Sequence, residues 1–249
     1  MQAVLNREVF STRLFDSGAL GVLASVIHQF AEPAIYGVVV RRGDIVVHTL
    51  SFEVSAASQN LQLDIDLATS IRDRAGREES CTCAPAGTEK HGVMPREMRP
   101  TVSPKGYVLF YVSRGEGGLS VQVGTNRSNQ PVFDSTTLGK GDLFALSLLA
   151  PTKYSMENRL GRARGMIEVS MPEAAFQSLA DLEPIAVEAT RDAFAPPDVK
   201  ASSGQGIVFR VVDAARIVIE QTQDPPDDEP RRRRRIVVPK RPAPSGPHR

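Results

Sequence analysis

From Ile35 onward, apolar and polar positions alternate in short blocks separated by Gly, Pro, Asn and Asp, the spacing of strands and turns rather than of helices. Ile35 to Arg41 and Ile45 to Val54, rich in Val, Ile, Thr and Phe, flank Gly43-Asp44 and predict a hairpin. Leu61 to Leu67 alternates strictly, which places Leu61, Leu63, Ile65 and Leu67 toward a core and Gln62, Asp64 and Asp66 toward water. Further strands are predicted at Tyr107 to Ser113 and Leu119 to Gly124, joined by a hairpin turn at Arg114-Gly115-Glu116-Gly117-Gly118. Others follow at Leu143 to Leu149, Lys153 to Asn158, Gly165 to Met171, Ile185 to Thr190, Gly206 to Val212 and Arg216 to Gln221.

Two segments carry a helical signal. Asp16 to Phe30 fits a helix with Leu20, Leu23, Ala24, Ile27 and Phe30 on one face, but Leu20, Val22, Ala24 and Val26 alternate equally well along a strand. Ser170 and Pro172 suit the cap and first residue of a short helix burying Phe176, Leu179 and Leu182. About ten short strands with Gly/Pro turns make the chain mainly β, a Greek-key sandwich or jelly-roll-like barrel with one or two short helices.

Two stretches break the pattern. Residues 69–104 hold many charges, both cysteines and four prolines without a sustained period, and are expected to form a long loop; such loops are commonly functional or ordered by a partner. Residues 223–249 open with Asp224-Pro225-Pro226-Asp227-Asp228-Glu229-Pro230, continue with five arginines and end Pro-rich. Such a segment buries too little apolar area to offset backbone ordering of ~1–2 kcal/mol per residue, so it is expected to be disordered when alone. The body is then residues 1–222, with 184–222 either completing the sandwich or forming a sub-unit of it.

Hydrophobic residues make up 41% of the 249 and charged residues 24%, ordinary globular usage that lets the body fold unaided. The net charge of +1 hides an asymmetry. The tail carries eight Lys/Arg against four Asp/Glu, leaving 22 basic against 25 acidic residues in the body, so the two have opposite signs. No apolar run reaches membrane-spanning length and the start lacks a secretory leader, which predicts an intracellular, cytoplasmic chain that avoids membranes. Cys81 and Cys83 stand too close for an unstrained mutual disulfide.

The cysteines open one chemical reading. Cys81, Cys83, His91 and Met94, with His48 upstream on a strand, supply thiolate, imidazole and thioether ligands that suit a copper-type ion. This loop is similar to the ligand loop of the dinuclear copper-A type of cupredoxin, which implies a metal-binding or redox β-sandwich. The cysteines stand closer together, and the histidine further away, than in that family, and the loop lies mid-chain rather than before the last strand. A tetrahedral zinc site lacks its fourth Cys/His ligand nearby.

Enzyme signatures are missing: there is no P-loop, dinucleotide fingerprint, nucleophile elbow or zincin helix. His28 and His48 lie in apolar segments, where a core histidine bonded to backbone is the expected reading. Asp134 and Asp142 read as turn residues. Arg159, Arg162 and Arg164 form a second basic stretch on the body.

Arg231, Arg232, Arg233, Arg234 and Arg235 can displace counterions from nucleic acid or pair with an acidic protein surface, but no aromatics are interleaved for base stacking. The adjoining Ile236-Val237-Val238 can add as a strand to a sheet edge. The leading expectation is a non-catalytic structural or assembly subunit, homo- or hetero-oligomeric, whose 69–104 loop and C-terminal arm bind partner protein chains. A copper-type metal protein and a non-specific nucleic-acid binder are the alternatives.

Overall fold

The computed structural model describes residues 12–68, 99–125, 131–171 and 182–222. In chain order its strands are β1 (Leu14–Asp16), β2 (Ala24–Phe30), β3 (Ala34–Arg42), β4 (Ile45–Val54), β5 (Gln62–Asp66) and β6 (Thr101–Val102). Then come β7 (Gly106–Tyr111), β8 (Leu119–Thr125), β9 (Phe133–Asp134), β10 (Leu143–Ser147), β11 (Lys153–Asn158) and β12 (Arg164–Ser170). The remainder are β13 (Ile185–Ala189), β14 (Phe194–Ala195), β15 (Asp198–Ser202), β16 (Gly206–Val211) and β17 (Ile217–Gln221). The protein is mainly β and sandwich-like, as the alternation predicts, and its sheets do not close into a barrel.

A seven-stranded sheet, ordered β14-β13-β16-β10-β2-β7-β5, is the spine of the molecule. One of its faces is apolar from strand to strand, with Val26, Phe30, Val108, Phe110, Phe144, Phe209 and Val187 all buried. Toward its β5 end that face meets the five-stranded sheet β6-β4-β3-β8-β9. Phe30 of β2 packs edge-on against Tyr36 of β3 and Phe52 of β4, and Phe110 of β7 stacks on Phe133 of β9 at 5.7 Å. A third sheet, β1-β17-β11-β12-β15, turns Tyr154, Met156, Ile167, Ile217 and Ile219 into the same continuous core. The burial of each strand alternates because successive side chains leave opposite faces.

Distant segments meet in these sheets. β1 pairs with β17, and β2 is hydrogen-bonded to both β7 and β10. Strands drawn from residues 185–221 therefore share sheets with strands drawn from residues 14–30.

Several local expectations change. Asp16 to Phe30 follows the alternating reading: β1 and β2 are joined by a turn that bridges Leu20 to Leu119, because Gly18 and Gly21 disfavour a helix there. Arg114 to Gly118 is a crossover and not a hairpin turn, since β7 and β8 lie in different sheets. Leu61 precedes β5 and is 73% exposed, while Asp66, on the outer side of β5, accepts hydrogen bonds from Ser113 Oγ and the Ala68 amide. The helix expected after Ser170 falls on residues 172–181, outside the described residues.

Candidate functional site

The most chemically distinctive pair is His28 with Asp142. Continuing the antiparallel register that sets Ile27 opposite Leu143 places His28 opposite Asp142, and both side chains enter the core-facing side. His28 Nδ1 lies 2.5 Å from Asp142 Oδ1, with side-chain exposures of 19% and 5%. Asp142 Oδ2 also accepts the Gly139 amide at 2.7 Å, so with an ionised carboxylate the Nδ1 proton is donated to Oδ1. Phe30 and Phe133 flank the imidazole.

The sequence reading of both residues needs correcting. His28 bonds a buried carboxylate rather than backbone, because the fold brings a strand 114 residues away beside it. Asp142 does close its turn, and the same group is the histidine's partner. A carboxylate-oriented imidazole is the arrangement of a general base. Here neither of the two clefts is lined by His28, and its Nε2 makes no hydrogen bond among the described residues.

A second pair joins β1 to the residue that precedes β17. Arg216 donates from Nε to Asp16 Oδ1 at 3.1 Å and from a terminal nitrogen to Oδ2 at 2.8 Å. That hydrogen bonding holds the guanidinium pKa above its ordinary value, against the opposing effect of burial. Asp16 borders a cleft of about 380 Å³ with Leu14, Gly21 and Gly115 to Gly118. Its two carboxylates are already engaged, Asp16 by Arg216 and Glu116 by Arg42, so the cleft offers no free acid or base.

Each arginine of the basic stretch at 159–164 has a carboxylate partner. Glu157 pairs with both Arg159 and Arg164, and Arg162 pairs with Asp192. The turn between β11 and β12 sets Arg164 beside Glu157, and the turn between β13 and β14 brings Asp192 beside Arg162, a meeting that spacing along the chain does not reveal.

Of the residues singled out for metal binding, His48 lies half-buried on β4 opposite Val40. Cys81, Cys83, His91 and Met94 lie outside the described residues, as do Arg231 to Arg235 and Ile236 to Val238. Among the described residues no three His, Cys, Asp or Glu side chains are grouped to hold a metal ion. No helix among them is long and apolar enough to cross a membrane.

The largest feature missed in the sequence is the outer face of the seven-stranded sheet. Opposite the core-facing residues it carries Ile27, Leu109, Leu143, Ala145 and Val208, half-buried, and Tyr107, 43% exposed. A depression of about 220 Å³ opens there, lined by Lys140, Gly141, Glu188, Arg210, Val211 and Val212. Half-exposed apolar residues on one strand face look ordinary singly; only the pairing of four strands makes them one surface.

Compared with known proteins, the chain matches no family model, and no curated protein or solved structure is similar to it at a significant level.

Proposed function

We propose that the chain is a non-catalytic β-sandwich subunit of a protein assembly, whose segment between β5 and β6, the part of the expected 69–104 loop that precedes Thr101–Val102, and C-terminal arm bind partner chains. The observation that carries this reading is where those segments depart from the body. The chain leaves β5, the outermost strand of the seven-stranded sheet, and re-enters at β6, the outermost strand of a different sheet. The loop thus springs from two sheet rims, where unpaired strand edges accept added strands. At the other end Thr222 bonds the Lys153 carbonyl, so the arm departs beside β11.

Charge supports the same reading. The arm is net positive and the body net negative, so an arm is attracted to the body of a neighbouring copy.

Light scattering of the full chain beside a full-length variant carrying Arg231→Ser through Arg235→Ser tests the proposal. The native chain is expected to exceed the mass of one copy, and the variant to lose mass. Equal masses overturn the arm's role. Retention of the native chain but not the variant on a phosphocellulose column, with equal masses, would assign the arginines to polyanion binding instead.

A further inference from the structure

The outer face of the seven-stranded sheet is complementary to itself. Its rows follow from the strand registers. One row runs Asp64, Leu109, Ile27, Leu143, Arg210 across β5, β7, β2, β10 and β16. A neighbouring row runs Asp66, Tyr111, Ser25, Ala145, Val208 across the same strands. A third runs Gln62, Tyr107, Gln29 across β5, β7 and β2, and beyond it the Gly141 turn that precedes β10 borders the depression.

We infer that two copies of this chain stack these faces about a two-fold axis running along β2. Such an axis reverses the strand order and keeps each row on itself. In the first row Ile27 meets Ile27, Leu109 meets Leu143, and Asp64 meets Arg210 of the other copy. In the second the bulky Tyr111 meets the small Ala145. In the third Tyr107 lands over Gly141, at the depression of about 220 Å³. Moving the axis one strand, to β10, instead sets Arg210 on Ile27 and Glu188 on Leu109, burying charges against aliphatics. The β2 register keeps the charges of the first row in opposite-sign pairs, and in the second only Asp66, already bonded to Ser113 Oγ, meets an aliphatic group, Val208.

The unengaged groups agree with it. Arg210 is exposed and its side chain makes no ion pair or hydrogen bond among the described residues. Among the described residues Asp64 accepts from Gln62 alone, through Oδ1 at 2.7 Å, which leaves Oδ2 for a second donor. Tyr107 is an exposed aromatic whose hydroxyl makes no hydrogen bond among the described residues, and Lys140, Glu188 and Arg210 around the depression offer it partners. Face-to-face sheets pack with their strands within about 30° of each other, which this axis allows. Five strands at ~4.8 Å and three rows at ~6.8 Å cover about 24 by 20 Å, near the low end for a specific contact, so a reversible dimer is expected.

The inference shares with the proposed function the premise that the chain works in assemblies, but it uses the body and not the arms. Sedimentation velocity of the full chain over a concentration series tests it, with circular dichroism confirming the fold of each variant. The native chain should dimerise reversibly, and Tyr107→Ser should weaken association at least tenfold. Asp64→Arg and Arg210→Glu should each weaken it, and the Asp64→Arg/Arg210→Glu double variant should recover most of the loss. A monomer at every concentration, an unchanged Tyr107→Ser, or a double variant no better than the singles overturns the inference. Repeating the series with Arg231→Ser through Arg235→Ser separates the two readings. A dimer that survives there but not with Tyr107→Ser supports the sheet face and removes the arm; association lost only with the arginines does the reverse.

Discussion

His28 Nδ1 and Asp142 Oδ1 stand 2.5 Å apart inside the sandwich although 114 residues separate them in sequence. The carboxylate is 5% exposed and has one other described donor, the Gly139 amide. Removing either member leaves the other in the core without its partner. A buried pair broken in this way costs about 3–5 kcal/mol. His28→Ala and Asp142→Ala are each expected to lose stability at the lower end of that range. In urea titrations the double variant should lose clearly less than the two singles together, because the coupled pair is counted once.

Arg216 holds Asp16 through two donors, a fork that lysine cannot reproduce. With the arginine side chain 37% exposed, the loss for Arg216→Lys is expected at only about 1 kcal/mol. Arg216→Lys and Asp16→Asn should give similar shifts in denaturation midpoint. A substitution at either site that leaves the midpoint unchanged would show that β1 and β17 are held together by their sheet pairing alone.

Tyr36 and Tyr154 both carry phenol pKa values above 10.0, raised chiefly by burial, with Glu32 adding to the effect at Tyr36 and an Ala150 hydrogen bond opposing it at Tyr154. Above pH ~10 the unfolded chain therefore releases protons that the folded chain retains, so stability falls as pH rises through that range. Below it these two groups contribute no pH dependence. Absorbance titration at the phenolate band should show two of the four tyrosines ionising late, and together with unfolding.

Gly161 turns the chain between β11 and β12 against the Arg191 carbonyl, which accepts the amides of Arg162 and Ala163. A Cβ at Gly161 would overlap that carbonyl, whereas one at Gly124 meets nothing within 4 Å. Gly161→Ala is expected to cost at least about 2 kcal/mol and Gly124→Ala close to nothing. Thermal melts of the two variants side by side give the comparison.

Much of the strand framework was legible because it is local. The hairpin of β3 and β4, and the alternation in β10, β11 and β12, are written in neighbouring residues. What was not legible is long-range. Leu14–Asp16 is too short to announce a strand and forms only because β17 lies beside it. Asp198–Ser202 adds in parallel to β12 after a proline pair, a setting that reads as loop. His28 and Asp142 looked like a core residue and a turn residue because their meeting depends on the register of β2 and β10. The apolar outer face escaped notice for the same reason: Tyr107, Leu109, Ile27 and Leu143 become one surface only after three strands pair.

The central claim is that this chain works as part of a protein assembly. Sedimentation equilibrium of the full-length protein measures it most directly. The account requires a weight-average mass that rises above 27.0 kDa with concentration and falls when Tyr107 or the arginine run is replaced. A single species of 27.0 kDa from nanomolar to high micromolar concentration would contradict it.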